Sequence, residues 1–191
     1  MEQTQSIAEL VIAQYPTQRA LGDEAGLLQR LDFETSGCLL IARSESVFDA
    51  LKKQIKDHDI TKDYLFLTDS IPSALAKDQD LEAAHYLGSR YRRSKKTSIS
   101  DTTQPRFQLA KTVFTLEKKL NDIFLVRAKT NYGRRHQIRA QASKLGMPLL
   151  GDSLYGSEKQ PLNSCPAFTL HAESISPVSY THLTLPTKRI V

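Results

Sequence analysis

The sequence predicts an α+β protein that contains helices and an antiparallel β-hairpin. Two apolar segments in "AKTVFTLEKKLNDIFLVRAKT" are separated by a short polar turn, a pattern typical of a β-hairpin. A separate run, "KDYLFLT", is rich in residues that favour strands. Other segments repeat apolar residues every three or four positions, as helices do. A hairpin combined with helices indicates the α+β class.

The first part of the chain predicts two helices and one strand. The apolar residues of "SIAELVIAQY" lie on roughly one face and predict a helix that Pro16 ends. The run "CLLIA" (38–42) follows a turn and predicts a buried strand. The segment "SESVFDALKKQIKDHDI" has apolar residues at every fourth position and predicts a helix capped by Ser44 or Ser46.

The second part predicts three strands and a helix. Residues 62–68 predict a strand, and the two hairpin strands meet at a turn over residues 120–122. Residues 69–105 show no pattern strong enough to assign an element. The segment "RRHQIRAQASKLG" predicts a helix that ends at Gly146, with Arg134 and Arg135 in its first turns.

Length and composition indicate one globular domain. The chain has 191 residues, of which 40% are hydrophobic and 25% are charged, and this is enough for a sizeable core. No run of about 18 apolar residues occurs, so no membrane span is expected, and the polar start does not resemble a signal peptide. Cys38 and Cys165 lack metal-ligand spacing, which predicts reduced thiols, a cytoplasmic location and no metal site.

Charge is distributed unevenly along the chain. Residues 1–85 hold 8 Lys+Arg and 15 Asp+Glu, whereas residues 86–144 hold 15 Lys+Arg and 3 Asp+Glu. A local excess of this size attracts polyanions and releases their counterions on contact. The alternative is a solvated surface that binds nothing, but the concentration of positive charge in one segment favours a polyanionic partner.

The last residues do not continue the preceding pattern. The stretch "VSYTHLTLPTKRIV", residues 178–191, shows no period and resembles the translation of an adaptor used in preparing sequencing libraries. The prediction is therefore a domain over residues 1–177 and a non-native tail over 178–191. The alternative is a genuine C-terminal strand and loop.

Asp32 is the first candidate for a functional residue. It follows an apolar approach and precedes the turn residues Thr35, Ser36 and Gly37. The two hydroxyls can bond to backbone groups of the turn, and the glycine can adopt a conformation closed to other residues. Such a turn would hold a carboxylate at the edge of a sheet, although an Asp before a turn is often only a turn residue.

Arg139 is the second candidate. It lies about 100° from Ile138 on a helical wheel, at the edge of the apolar stripe. A half-desolvated guanidinium there requires an acidic partner, for which Asp32 is a good candidate. The alternative is that the side chain extends to water.

Four motifs in order carry a family resemblance: "RLDFETSG", "KDYLFL", "GRRHQIR" and "GDSLYG". Together they resemble the RluA/RsuA-type RNA pseudouridine synthases, on the RluA-like branch, over residues 6–172. The resemblance implies the pseudouridine-synthase fold, in which helices flank a mixed, mainly antiparallel sheet around a central RNA-binding cleft. It also implies isomerisation of uridine to pseudouridine in ribosomal or transfer RNA by a monomer that needs neither cofactor nor metal.

The resemblance also implies roles for individual residues. Asp32 matches the catalytic aspartate, which attacks the nucleoside or assists in forming a glycal. Tyr64 matches a tyrosine that packs on uracil and has been proposed as a base. Arg139 matches the arginine that pairs with the catalytic aspartate. Further substrate-binding residues are Arg30, which helps to flip the uridine, and Thr35, Lys62, Arg134, His136, Gln137 and Ile138. Of these, Lys62 is expected to be structural or to face a phosphate, and Ile138 to line the base pocket. Weaker contacts to the RNA backbone are expected from Arg92, Arg93, Lys95 and Lys96, and a structural role from Gly151, Asp152, Tyr155 and Gly156.

The chain departs from the family pattern at several points. Gln29, Tyr132 and Gln141 stand where His, Thr and His are common. An earlier strand, a Lys-Pro motif and a small N-terminal RNA-binding domain are not visible, so we expect a catalytic domain that is truncated at both ends.

Three other classes of protein fit parts of the pattern. A catalytically inactive RNA-binding protein of the same fold would keep the basic segment. An aspartate-dependent phosphatase would need an Asp where Glu34 stands, and no magnesium partner is evident. A structural ribosome-associated module fits the charge but leaves Asp32, Tyr64 and Arg139 unexplained.

Overall fold

One seven-stranded sheet organises the protein. The computed structural model describes residues 5–77, 79–89, 91, 94–156 and 168–178. The strands are β1 (Ser36–Gly37), β2 (Ile60–Thr68), β3 (Leu81–Gly88), β4 (Ser98–Ser100), β5 (Gln108–Leu120), β6 (Ile123–Thr130) and β7 (Leu170–Pro177). Their order in the sheet is β1-β7-β2-β6-β5-β3-β4. The short β1 runs parallel to β7, and the other neighbours are antiparallel, which confirms the predicted α+β class with a mixed sheet.

Three α-helices accompany the sheet in the described residues: α1 (Ile7–Gln14), α2 (Glu45–Asp57) and α3 (Gln137–Lys144). The predicted first and second helices are confirmed, and Ser44 is the residue that caps α2. The third helix begins later than predicted, because His136 takes a left-handed conformation with a φ of 51° at the N-cap. The prediction that Arg134 and Arg135 lie in its first turns is therefore wrong.

The hairpin is confirmed, whereas the strands before it were not foreseen. β5 and β6 meet at a turn in which Asn121 has a φ of 55°. The unassigned segment 69–105 contains β3 and β4. The inward positions of β3 include Ala83 and His85, which are small or polar, so the alternation typical of a strand is weak in the sequence.

The predicted strand over residues 38–42 is wrong. Only Ser36 and Gly37 form ladder pairs with β7, and within residues 38–42 an isolated bridge joins Ile41 to Leu27. Leu40 packs in a cluster of α2 residues with Ile60 of β2 and Ile175 of β7, so this run lies between the helix and the sheet without forming a strand. Gly37 has a φ of +115°, and a Cβ there would lie 2.1 Å from the Ala172 carbonyl oxygen of β7. The expectation that this turn needs glycine is confirmed.

A gap between two apolar clusters sets the place of the site. Ile60, near the start of β2, packs with α2, and Phe66, near its end, packs in the large cluster that includes α3. Alternate residues of a strand face the same side, so Lys62 lies between these clusters on the same face of β2 as Tyr64, which packs against the large cluster. The helices thus leave the middle of that strand open to a cleft.

Some predictions fall on residues that the structure does not describe. Arg92, Arg93 and Cys165 lie outside the described residues, as does the tail beyond Val178. Cys38 is a free thiol. In the described part of the chain, no helix has the length and apolar character needed to cross a membrane. The last strand of the sheet ends at Pro177. The domain boundary after residue 177 stays a prediction.

Candidate active site

A cleft of about 830 Å³ lies between the loop over residues 27–35, the middle of β2 and the segment over residues 130–139. The residues predicted to be catalytic or to bind substrate all line it: Arg30, Asp32, Thr35, Lys62, Tyr64, Arg134, His136, Gln137, Ile138 and Arg139. The fold thus brings together side chains that are separated by about a hundred residues in sequence. Lys95 and Lys96 are not among the lining residues.

A tight turn holds Asp32 at the cleft. The backbone N–H of Thr35 donates to the Asp32 carbonyl at 2.8 Å, and the Asp32 side chain is 25% exposed. The hydroxyls do not act as predicted: Ser36 Oγ lies 2.8 Å from His171 Nδ1 of β7. Thr35 Oγ1 is buried and has no hydrogen-bond partner among the described residues, which leaves it available to a ligand.

Arg139 lies between two carboxylates. Its Nη1 donates to Asp32 Oδ2 at 3.2 Å, while its Nε and Nη2 donate to Asp152 Oδ2 and Oδ1 at 2.6 and 2.8 Å. The expected contact with Asp32 is therefore present, but Asp152 is the closer, bidentate partner. Burial alone would lower the pKa of the Arg139 guanidinium, but the bonds to Asp152 and Asp32 outweigh burial and raise that pKa. Arg139 is only 7% exposed, and its guanidinium stays charged.

Asp152 was expected to be only structural, but it is also the bidentate partner of Arg139. It is 1% exposed, and its Oδ1 also accepts the backbone N–H groups of Leu154 and Tyr155 at 3.1 and 3.2 Å. These bonds hold the carboxylate against Arg139. A signal was present in the sequence, because Asp152 is the first acid after Asp122 in a stretch rich in arginine. A buried arginine needs an acid, and few candidates lie nearby in the chain.

Tyr64 faces the cleft beside Asp32. Its pairing with Ala128 of β6 is regular, and the register shift beside it in the pairing with β7 places the extra residue, Glu173, on β7. Burial, together with the charge of Asp32, raises the pKa of Tyr64 to about 12. The phenol is therefore protonated at neutral pH and offers a ring and a donor, not a ready base.

Gln137, a predicted contact residue, and the nearby Arg135 both form hydrogen bonds within the protein. The Gln137 amide nitrogen donates to the Thr130 and Thr112 hydroxyls, both at 2.9 Å, and its oxygen accepts the Arg134 backbone N–H at 3.1 Å. The Arg135 guanidinium donates to backbone carbonyls of the neighbouring basic loop (residues 94–97) at 2.7 and 2.8 Å. These side chains shape the cleft and hold the loop, which carries Lys95 and Lys96.

His136 connects Asp32 with that basic loop. Its Nε2 lies 3.9 Å from Asp32 Oδ2, and its Nδ1 lies 3.0 Å from the Tyr155 hydroxyl. The same hydroxyl accepts the backbone N–H of Thr97 at 2.8 Å. Burial lowers the pKa of His136, so the imidazole is neutral at pH 7. A chain of polar contacts thus runs from the loop to the carboxylate.

Comparison with known proteins identifies the family. The family described as RNA pseudouridylate synthase matches residues 7–144. The chain belongs to this family of RNA pseudouridine synthases. The resemblance inferred from the four motifs is thereby confirmed.

Relatives within the family cover most of this chain. Ribosomal large subunit pseudouridine synthase C of Rickettsia bellii is 37% identical over 155 residues, which span 81% of this chain and 49% of the relative. Synthase D of Zymomonas mobilis is 33% identical over 135 residues, 71% of this chain and 40% of the relative. The chain spans about half the length of the curated relatives it matches.

A solved structure supports the fold. Human RNA Pseudouridylate Synthase Domain Containing 1 superposes with a TM-score of 0.70 and 23% identity, over 95% of this chain and 74% of that one. The predicted pseudouridine-synthase fold is confirmed. Among the described residues, no group of three or more His, Cys, Asp or Glu side chains is arranged to hold a metal ion.

Proposed function

We propose that this protein isomerises uridine to pseudouridine in structured RNA, either ribosomal or transfer RNA, with Asp32 as the reacting carboxylate. The observation that supports this most directly is the convergence of Asp32, Tyr64 and Arg139 in one cleft of a member of this family. The proposal includes a cytoplasmic monomer that needs no cofactor or metal. Residues 1–177 would form its catalytic domain, and residues 178–191 a non-native tail.

The reaction makes clear demands on the site. It breaks the N1–C1′ bond of uridine, rotates the base and joins C5 to C1′; the proton that leaves C5 balances the one that N1 gains. The aspartate must be negatively charged whether it attacks the nucleoside or assists in forming a glycal. The Arg139 guanidinium donates to the Asp32 carboxylate at 3.2 Å. Arg139 would therefore hold the reacting oxygen in position in the cleft.

The cleft also fits the way RNA must enter. Extruding a base from its stack costs a few kcal/mol, and stacking on an aromatic ring returns about 1–3 kcal/mol. Tyr64 offers such a ring, and Arg30 is exposed at the rim, where it could occupy the gap left by the uridine. Lys95 and Lys96, on the basic loop, add sequence-independent attraction to phosphates.

The direct test is product formation by the 191-residue chain. Ribosomal and transfer RNA transcripts lacking modification are incubated with the protein, and pseudouridine is quantified by nucleoside chromatography and located by reverse transcription. We expect pseudouridine at one or a few uridines of one RNA class. RNA binding without any product in either class would instead indicate an inactive RNA-binding protein of the same fold.

Substitutions of Tyr64 separate stacking from proton transfer. Because the phenol is protonated at neutral pH, we expect Tyr64→Phe to keep activity within a few-fold, with an unchanged pH profile between pH 6 and 9. Tyr64→Leu should weaken RNA binding by about 5- to 150-fold, since it removes a stacking platform. An inactive Phe variant that still binds RNA would contradict this view and assign the hydroxyl an essential role.

A further inference from the structure

Lys62 is a buried cation that the proposed chemistry does not use. It lies on β2 between the two apolar clusters and is only 5% exposed. Its Nζ makes one long hydrogen bond, 3.4 Å to the Tyr132 carbonyl. Within the described part of the chain it forms no ion pair with a carboxylate, and the charge of Arg134 acts on it.

The surroundings of Lys62 increase the positive charge. Arg134 lines the same cleft, and its Nε donates to the Leu109 carbonyl at 3.3 Å. Its two Nη groups have no hydrogen-bond partner among the described residues. Burial lowers the pKa of Lys62, and the charge of Arg134 lowers it further. Two neighbouring cations without an anion are unfavourable in a partly dry site.

The cleft carboxylates do not relieve this charge. Asp32 bonds to Arg139, and neither Glu24 nor Glu34, which also line the cleft, forms an ion pair with Lys62. The ammonium lies close to the backbone of Gly133, where a Cβ would come within 2.9 Å of Lys62 Nζ, so glycine permits this approach. An anionic ligand that enters the cleft, which Lys62 and Arg134 both line, would find a vacant donor set.

We propose that Lys62 and Arg134 form a phosphate subsite that binds a phosphodiester flanking the target uridine. The inference rests on the proposed function, and it adds to that function a defined contact with the RNA backbone. Lysine and arginine are the usual phosphate partners, and arginine can bind two oxygens at once. Lys62 and Tyr64 are two residues apart on one strand face, about 7 Å, so a base on Tyr64 brings its own phosphate within reach.

Stability measurements distinguish this role from a structural one. If Lys62 served to hold the Tyr132 carbonyl, Lys62→Met would lower the melting temperature. If Lys62 awaits an anion, the substitution removes an unpaired buried charge, and the melting temperature of the free protein should stay the same or rise. A clear decrease would overturn the proposal.

Salt dependence of RNA binding tests the contact itself. The probe is a fluorescent nonanucleotide with a single central uridine, titrated with the 191-residue chain between 50 and 300 mM salt. For Lys62→Met we expect the slope of log affinity against log salt to decrease in magnitude by about 0.7, the loss of one single-strand phosphate contact. The matched control is Lys129→Met, because Lys129 is exposed on β6 outside the cleft, and its slope should equal that of the parent. An unchanged slope for Lys62→Met would overturn the subsite.

Replacing single phosphodiesters of the RNA by neutral linkages identifies the phosphate that Lys62 contacts. Methylphosphonate replaces, one at a time, the two linkages that flank the central uridine. We expect the parent to lose affinity for one of these RNAs and Lys62→Met to show no further loss on that RNA. An equal effect of Lys62→Met on both RNAs, or equally strong Lys62-dependent binding of inorganic phosphate, would overturn the proposal. These measurements need no product, so they fail or succeed independently of the pseudouridine assay.

Discussion

Asp32→Asn is expected to reduce pseudouridine formation by on the order of 10⁴-fold or more, the size of effect seen when a reacting side chain is removed. The amide has the shape of the carboxylate but cannot carry its negative charge. RNA affinity should remain close to that of the parent, because the phosphate and stacking contacts are made by other side chains. The fold should also persist, since Arg139 keeps its bidentate partner Asp152.

A neighbouring acid supplies the matched control. Glu34 lies two residues away and lines the same cleft, so Glu34→Gln removes one negative charge without touching the proposed chemistry. We expect it to stay within a few-fold of the parent. Pseudouridine formed by Asp32→Asn at near-parent rate would refute the role of Asp32, and a loss of RNA binding in that variant would show that the carboxylate acts in positioning instead.

Local sequence signals predicted the elements that depend on local interactions. The helix over Glu45–Asp57 and the hairpin at Asn121 follow from apolar spacing, a serine cap and a turn residue, all of which act within a few positions. The convergence of Asp32 with Arg139 is different, because 107 residues separate them. It depends on the pairing of β2 with β6 and β7, and the motif resemblance, not residue chemistry alone, pointed to it.

Long-range packing explains what sequence reasoning missed. The apolar run over residues 38–42 could form a strand or pack as an irregular segment between a helix and the sheet, and nothing local decides between these outcomes. In β3, the buried His85 lies within 3.4 Å of Gln141, so a polar residue occupies an inward position that apolar periodicity cannot reveal. Asp152 was assigned only a structural role, because the sequence shows an acid after an arginine-rich stretch but not the distances of 2.6 and 2.8 Å to Arg139, which the fold defines.

Asp152→Asn is the second substitution with a large expected effect. An amide can accept from only one of the two guanidinium nitrogens that Asp152 now binds, and its NH₂ group repels the other. Removing the charge of one partner from a buried ion pair costs about 3–5 kcal/mol of stability, so the melting temperature should fall. The freed guanidinium should also shift towards Asp32, and a displacement of about 1 Å can reduce the rate by about 10²-fold.

The kinetic effect can be separated from the loss of stability. Rates are measured well below the melting temperature of the variant, where it is folded, and we expect kcat to fall while KM stays near the parent value. Asp152→Glu restores the charge but changes its distance, so it should recover stability more fully than kcat. The control is Asp101→Asn, since the Asp101 side chain is 71% exposed and pairs with Lys144 on the surface; neither stability nor rate should change much. A folded Asp152→Asn variant with parent kcat would make Asp152 a purely structural residue, and Asp32 would then depend on Arg139 only for charge and not for position.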